Sequence, residues 1–80
     1  MKNARFFNKR NIPLAWSNDF DNVEHLHDAI EDSTSARELV KNVNSVSRFL
    51  TFSIDRETKE YVRLISHDWL GNVRYIKAWF

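Results

Sequence analysis

The chain has no cysteine, one glycine and one proline among its 80 residues. Without cysteine it has no disulfide framework, no thiolate metal site and no cysteine nucleophile. A single glycine excludes a glycine-rich loop of the kind that cradles phosphates. Because residues that interrupt a chain are so few, the sequence shows no linker, repeat or low-complexity tract. We therefore predict a single small domain over residues 1–80.

Long hydrophobic runs are also missing. The first 16 residues contain no apolar stretch typical of a secretory signal. No segment approaches the roughly 18 apolar residues that a membrane span needs. The sequence therefore predicts a cytoplasmic protein, or one exported without a classical signal, that has no membrane association.

Whole segments lack charge of one sign, although the net charge is only +1. Residues 1–16 hold four basic residues and no acid, whereas residues 17–33 hold six acids and no Lys or Arg. Such alternation usually means that the segments neutralise one another in the fold. The alternative is a basic, mobile N-terminal arm over residues 1–16 that seeks an acidic partner or a phosphate. The aromatic "ARFFN" within this segment equally fits a short strand.

Two stretches have helical periodicity. The first runs from about Asp19 to Glu31, with Ser17 or Asn18 as its cap. Its apolar face consists of Phe20, Val23, Leu26 and Ile30. The second begins at a capping box of Ser35 and Glu38 and runs to about Phe49. Its apolar face consists of Ala36, Leu39, Val40, Val43, Val46 and Leu50, and a basic stripe on the opposite side consists of Arg37, Lys41 and Arg48 with Asn44 among them. We expect an antiparallel helical hairpin.

From Leu50 the period changes to two, which is typical of half-buried strands. Strands are predicted over 50–54, 61–66 and 73–80, separated by "DRETKE" and by "HDWLGN", whose glycine suits a tight turn. The fold class is therefore α+β, a two-helix hairpin packed on a three-stranded antiparallel meander. The "ARFFN" segment is available as an extra N-terminal strand.

The alternation divides the sheet into two faces. The residues expected to face the helices are Phe52, Ile54, Val62, Leu64, Ile76, Ala78 and Phe80. The opposite face is aromatic, branched and basic, and interfaces favour Tyr, Trp and Arg. We predict a partner-binding site made of Tyr61, Arg63, Tyr75, Lys77 and Trp79, with Trp69 on the last turn. The alternative is that the N-terminal segment folds across this face and covers it.

The segment "FSIDRETKEYVRLI" resembles the hairpin of flagellar FlaG-type proteins, which reads like "FSVDxxTGxxVVxVID". The matching residues are Phe52, Ser53, Ile54, Asp55, Thr58, Val62 and Ile65, with Gly71 and Val73 in register at the next turn. Lys59 stands where the family has a glycine. The resemblance covers about residues 38–76 and implies a small flagellum-associated accessory protein.

The sequence contains few residues in patterns typical of metal binding or catalysis. His25 and His27 lie on nearly opposite sides of a helix, so they lack the i, i+4 spacing of a zinc helix. We predict no metal site, no cofactor and no catalytic residue. One catalytic alternative is that the order of elements resembles RelE-type ribosome-dependent ribonuclease toxins. The nearest residues of the required types are Arg63, His67, Arg74, Tyr75 and Lys77.

The sequence favours a small non-enzymatic regulatory factor that binds another protein, with flagellar association as the named hypothesis. An inhibitor or adaptor encoded by a mobile element has the same sequence features. A nucleic-acid binder that uses the aromatic-basic face is the less favoured alternative. A homodimer through the sheet stays open.

Overall fold

A computed structural model describes residues 1–16 and 19–80 of the chain. Its elements in order are β1 (Lys2–Asn8), α1 (Val23–Asp32), α2 (Ala36–Val46), β2 (Ser53–Glu57), β3 (Tyr61–His67) and β4 (Val73–Trp79). The strands form one antiparallel sheet in the order β1-β4-β3-β2. The α+β class and the meander are confirmed, and the extra N-terminal strand completes the sheet at the β4 side.

Within the N-terminal segment, Lys2–Asn8 form the predicted extra strand. Arg5 pairs with Lys77 and Phe7 with Tyr75, so β1 lies beside β4 in the plane of the sheet and not across its outer face. The α-ammonium of Met1 also donates hydrogen bonds of 2.8–2.9 Å to the carbonyl oxygens of Ile30, Glu31 and Ser33 at the end of α1. The positive group lies where the helix dipole is negative.

Helix α1 begins later than its periodicity predicts. Asn22 is its N-cap and accepts a hydrogen bond from the His25 N–H at 3.0 Å. The predicted caps, Ser17 and Asn18, lie outside the described residues. Phe20 precedes the helix and is 2% exposed, and its backbone bridges to Ser47 instead of forming the first turn of the helix.

Helix α2 begins where predicted, because the Ser35 side chain accepts from the Glu38 N–H at 3.2 Å. The Glu38 carboxylate contacts Thr34 instead of closing the predicted capping box on Ser35. These hydrogen bonds lower the pKa of Glu38. The helix ends at Val46 rather than near Phe49, which is 77% exposed.

Strand β2 also starts later than predicted, at Ser53 instead of Leu50. Asn44 of α2 sets this start: its amide donates to the Phe52 carbonyl at 3.0 Å and accepts from the Phe52 N–H at 2.8 Å. Asn44 therefore holds the backbone before β2 and does not belong to a solvent-facing basic stripe.

The core lies between the two helices and one face of the sheet, which we call the inner face. Its most deeply buried side chains are Phe20, Leu26, Ile30, Leu39, Val43, Phe52, Val62, Leu64, Ile76 and Ala78. Two residues predicted to face the helices are less buried than expected: Ile54, which pairs with the inner-face residue Leu64, and Phe80 are each 45% exposed. Ile54 lies on an edge strand, and Phe80 follows the last strand.

Candidate functional site

The opposite side of the sheet, the outer face, carries four basic residues side by side, one from each strand. Arg56 lies opposite Arg63, Arg63 opposite Lys77, and Lys77 opposite Arg5. We call these four residues the cation row. Because neighbouring strands lie about 4.8 Å apart, the row spans about 14 Å.

A β-bulge places Arg56 in this row. The register of β2 against β3 shifts between Ile54 and Arg56, so both Asp55 and Arg56 lie opposite Arg63. Without the extra residue, Arg56 would point to the inner face. Sequence reasoning missed Arg5 and Arg56 as site residues, because only the pairing of β1 and the bulge in β2 bring them to this face.

Aromatic rings flank the cation row on both sides. The Lys77 Nζ lies 4.1 Å from the ring centroid of Tyr61 and 4.8 Å from that of Trp79. The Arg63 guanidinium carbon lies 5.4 Å from the Tyr75 centroid. Tyr75 stacks in turn on Phe7, with 5.3 Å between centroids. The five predicted residues of the sheet strands, Tyr61, Arg63, Tyr75, Lys77 and Trp79, therefore share one face.

The outer face has little negative charge to balance the row. Arg63 pairs with Asp55 at 2.7 Å between Nε and Oδ2. Over residues 1–16 and 19–80, Arg5, Arg56 and Lys77 make no ion pair. Like charges directly opposite one another destabilise a sheet, and an anion that contacts them relieves the repulsion. The row is therefore suited to an anionic partner.

An open cavity of about 580 Å³ lies beside the row, where β1 begins, β4 ends and β2 turns into β3. Its lining residues are Lys2, Asn3, Arg5, Lys59, Glu60, Trp79 and Phe80. Asn3 has a φ of +57° at a second bulge, in β1, a left-handed conformation that asparagine tolerates better than most residues. Basic and aromatic side chains thus continue to the edge of the sheet.

Trp69 does not lie on the outer face. It is 91% exposed on the β3–β4 turn, next to Leu70, which is 66% exposed. Asp68 orders this turn by accepting hydrogen bonds of 2.9 Å from the N–H groups of Leu70 and Asn72. Gly71 adopts a φ of +85°, which glycine permits.

The carboxyl group of Asp68 has an altered pKa. Desolvation tends to raise the pKa, but hydrogen bonds from Asn72, Arg74 and Leu70 outweigh it and lower the pKa to about 2. The Arg74 Nη1 lies 3.1 Å from the second carboxylate oxygen of Asp68. The turn that carries Trp69 is therefore held by an ionised carboxylate.

The predicted basic stripe of α2 is not continuous. Arg37 and Lys41 are exposed on the helix, but Arg48 follows its end and pairs with Asp21 at 2.9 Å. With Asn44 bound to the backbone of Phe52, only Arg37 and Lys41 remain as neighbouring exposed basic residues of the stripe. This surface is a weaker candidate than the cation row.

The predicted neutralisation of charge between segments is only partial. Asp19 lies 3.5 Å from Arg74, and Asp21 pairs with Arg48. In the described part of the chain, the four acids of α1 make no ion pair, and all four are exposed: Glu24, Asp28, Glu31 and Asp32. The helix layer and the outer face therefore keep patches of opposite sign.

Among the described residues, the candidate metal ligands form no cluster, but most of the ribonuclease-type residues lie together. No group of three potential metal ligands occurs among the residues that the structure describes. The imidazole of His27 packs edge-on against the Trp16 ring, with 5.2 Å between the ring centroids. Of the ribonuclease-type residues, Arg63, His67, Tyr75 and Lys77 share the outer face. Arg74 is held on the other side by Asp19 and Asp68.

Among the helices that the structure describes, none has the length and the apolar character that a membrane span needs.

Comparisons with protein-family models, with curated proteins and with solved structures found no match to this chain. The resemblance to FlaG-type proteins therefore stays a prediction that rests on the hairpin residues. In the structure that hairpin is β2–β3, where the Thr58 N–H donates to the Tyr61 carbonyl at 2.9 Å.

Proposed function

We propose that this protein is a small non-enzymatic binding domain whose outer face takes an acidic surface of another protein. The observation that carries the proposal is the cation row of Arg5, Arg56, Arg63 and Lys77. Four aligned positive charges with one nearby carboxylate favour a partner that supplies several negative charges in a line. Tyr61, Tyr75 and Trp79 provide the aromatic contacts that commonly dominate binding energy.

The arrangement of the rings favours a protein over a single-stranded nucleic acid. Bases stack on the open faces of aromatic side chains. Here the Lys77 ammonium lies over Tyr61 and Trp79, and the Arg63 guanidinium lies over Tyr75. Stacking bases would have to displace these cations, whereas carboxylates can contact them where they lie.

A nucleic-acid partner is the second candidate function. It is favoured by the presence of Arg63, His67, Tyr75 and Lys77 on one face, since these types bind phosphate and transfer protons in RelE-type ribonucleases. Arg74, the fifth residue of that set, is committed to two carboxylates and is unsuited to this role. We therefore place this candidate second.

Flagellar association and a role as a mobile-element inhibitor are finer hypotheses within the first proposal. Both require a protein partner and neither requires a catalytic group. The neighbouring genes would separate them, because flagellar genes next to this one favour the former hypothesis.

The test neutralises the cation row and leaves the fold intact. Arg56→Gln/Lys77→Gln removes two of its charges, and Lys9→Gln/Arg37→Gln is the matched control because both residues are exposed. We expect wild type and control to retain the same proteins from a nuclease-treated native lysate, and the row variant to lose them. Loss of interface anchors typically costs about 2–4 kcal/mol in binding.

A stability measurement separates binding from folding. Removing Arg56 relieves repulsion with Arg63, so Arg56→Gln should leave the free energy of unfolding unchanged or raise it by about 0.2–1 kcal/mol. The buried Phe52→Ala is the destabilised reference, with an expected loss of about 3–5 kcal/mol. Equal retention of proteins by the row variant and the control would contradict the proposal, and retention that nuclease abolishes would favour the second candidate.

A further inference from the structure

The helix layer of this protein carries an acidic stripe that is somewhat shorter than the cation row. Glu24, Asp28 and Glu31 are all exposed on α1, and their spacing of four and three residues places them on one side of the helix. Glu24 and Glu31 are about 10.5 Å apart along the axis at 1.5 Å per residue. Asp32 extends the stripe by one residue. The cation row spans about 14 Å, so flexible basic side chains can reach every acid of the stripe.

Apart from Arg63, which pairs with Asp55, the charged residues of both surfaces have no ion-pair partner among the described residues. Within the described ranges, the acids of the stripe form no ion pair, and neither do Arg5, Arg56 and Lys77. The two surfaces cannot meet within one chain, because α1 packs on the inner face of the sheet and the row lies on the outer face. A second molecule can bring them together.

The overall charge permits this contact. The net charge is +1, so two copies repel each other little as wholes. A molecule with near-zero net charge and opposite patches on its two sides is prone to associate with itself. By contrast, a strongly charged chain with the same patches would be kept apart by its net repulsion.

We propose that the occupant of the cation row is α1 of a second copy of this chain. The proposal rests on the proposed function, because it uses the same face and makes self-association compete with a different acidic partner. The contact joins two different surfaces, so it is heterologous. Each copy therefore offers one donor stripe and one acceptor row, and association proceeds head to tail.

Salt dependence is the first test. Sedimentation velocity over a range of concentrations should show species larger than a monomer at about 50 mM salt. These species should disappear at about 1 M salt, where the screening length is about 3 Å. A wild-type protein that is monomeric at every concentration in low salt would overturn the inference, as would association that increases with salt.

Two complementary variants give a sharper test. Glu24→Gln/Asp28→Asn/Glu31→Gln removes three of the four acids of the stripe and keeps the row, and Arg56→Gln/Lys77→Gln removes two of the four charges of the row and keeps the stripe. Each alone should be monomeric at the concentrations at which wild type associates, because one half of the contact has lost half or more of its charge. Mixed in equal amounts they should form a dimer and nothing larger, since each pair retains one complete interface.

The outcomes separate this inference from the proposed function. If the mixture stays monomeric although both variants are folded by circular dichroism, self-association through these surfaces is wrong. The proteins retained from lysate by wild type and lost by the row variant would still support binding of a different acidic partner. Conversely, a dimer in the mixture with no retained protein would support self-association alone.

Discussion

At the scale of single residues, Asp68 determines the shape of the turn that presents Trp69. Its two carboxylate oxygens accept from the backbone of Leu70 and Asn72 and from Arg74. These bonds require the ionised form, which is why they outweigh desolvation and the pKa falls to about 2. The sequence predicted this turn from its glycine, but nothing in the residue pattern identified Asp68 as the group that holds it.

The depressed pKa makes a specific pH prediction. The stabilisation from ionised Asp68 is complete above the ordinary pKa of 3.8 and is lost as the pH falls toward 2. In Asp68→Asn, which keeps one acceptor oxygen but no charge, this stabilisation is absent throughout. The melting temperature of wild type should exceed that of the variant at pH 7, and the difference should shrink between pH 4 and pH 2.

The control for this prediction is Asp32→Asn, which alters an exposed carboxylate outside the turn. The melting temperature of Asp32→Asn should differ little from that of wild type at neutral pH. A gap between wild type and Asp68→Asn that stays constant from pH 7 to pH 2 would show that the charge of Asp68 does not hold the turn.

At the scale of elements, the packing of α2 on the sheet is the main constraint on the fold. Val43 lies in the middle of the helix, is fully buried and belongs to the core shared by both helices and the sheet. The apolar period of the helix predicted this position correctly. Val40 and Val46 of the same face also pack against the core, although they are only partly buried, and the helix stops at Val46 rather than near Phe49.

Val43→Asp should unfold the protein or come close to it. Burial of an unpaired carboxylate costs several kcal/mol. A domain of this size has only about 4–12 kcal/mol of stability, at roughly 0.05–0.15 kcal/mol per residue. Urea unfolding followed by circular dichroism measures the loss, with the exposed Lys41→Asp on the same helix as control. A Val43→Asp protein as stable as the control would mean that α2 is rotated relative to this structure.

Strand β2 is exposed but has features that discourage pairing with another sheet edge. It is an edge strand, and all five of its residues are exposed. A bulge and three charged residues, Asp55, Arg56 and Glu57, lie in it. Bulges and charges are features that discourage pairing between sheet edges. The features of β2 therefore disfavour pairing of two copies through this edge of the sheet, and the predicted homodimer through the sheet stays a prediction.

At the scale of the whole molecule, the separation of charge matters more than the total. The net charge is only +1, but the outer face is basic and α1, on the far side of the sheet, is acidic. Long-range attraction of a polyanion depends on the summed field of the molecule. Local attraction of a carboxylate depends on the cation row alone.

We therefore expect weak binding of nucleic acid. In filter binding at about 50 mM salt, a single-stranded oligonucleotide should not reach submicromolar affinity. Tight nucleic-acid binders show high affinity that falls steeply as salt rises to about 200 mM. Submicromolar affinity with such a fall would reverse the order of the two proposed functions.

Residue spacing along each helix and strand was sufficient to predict which side chains are buried and which face of the sheet they occupy. The period of 3.6 residues placed Leu26, Ile30, Leu39 and Val43 in the core. The period of two separated Val62 and Leu64 from Tyr61 and Arg63. Both patterns arise from the direction of successive side chains along one element, so they require no knowledge of its neighbours.

The positions of other residues depend on pairing between distant segments, and they follow from the tertiary structure alone. Phe20 lies outside α1 because its backbone bridges to Ser47, and its ring is buried in the core. Arg5 reached the outer face because β1 pairs with β4, and Arg56 reached it because a bulge shifts the register of β2. The alignment of four cations from four strands is set by these registers, which a pattern along one strand does not contain.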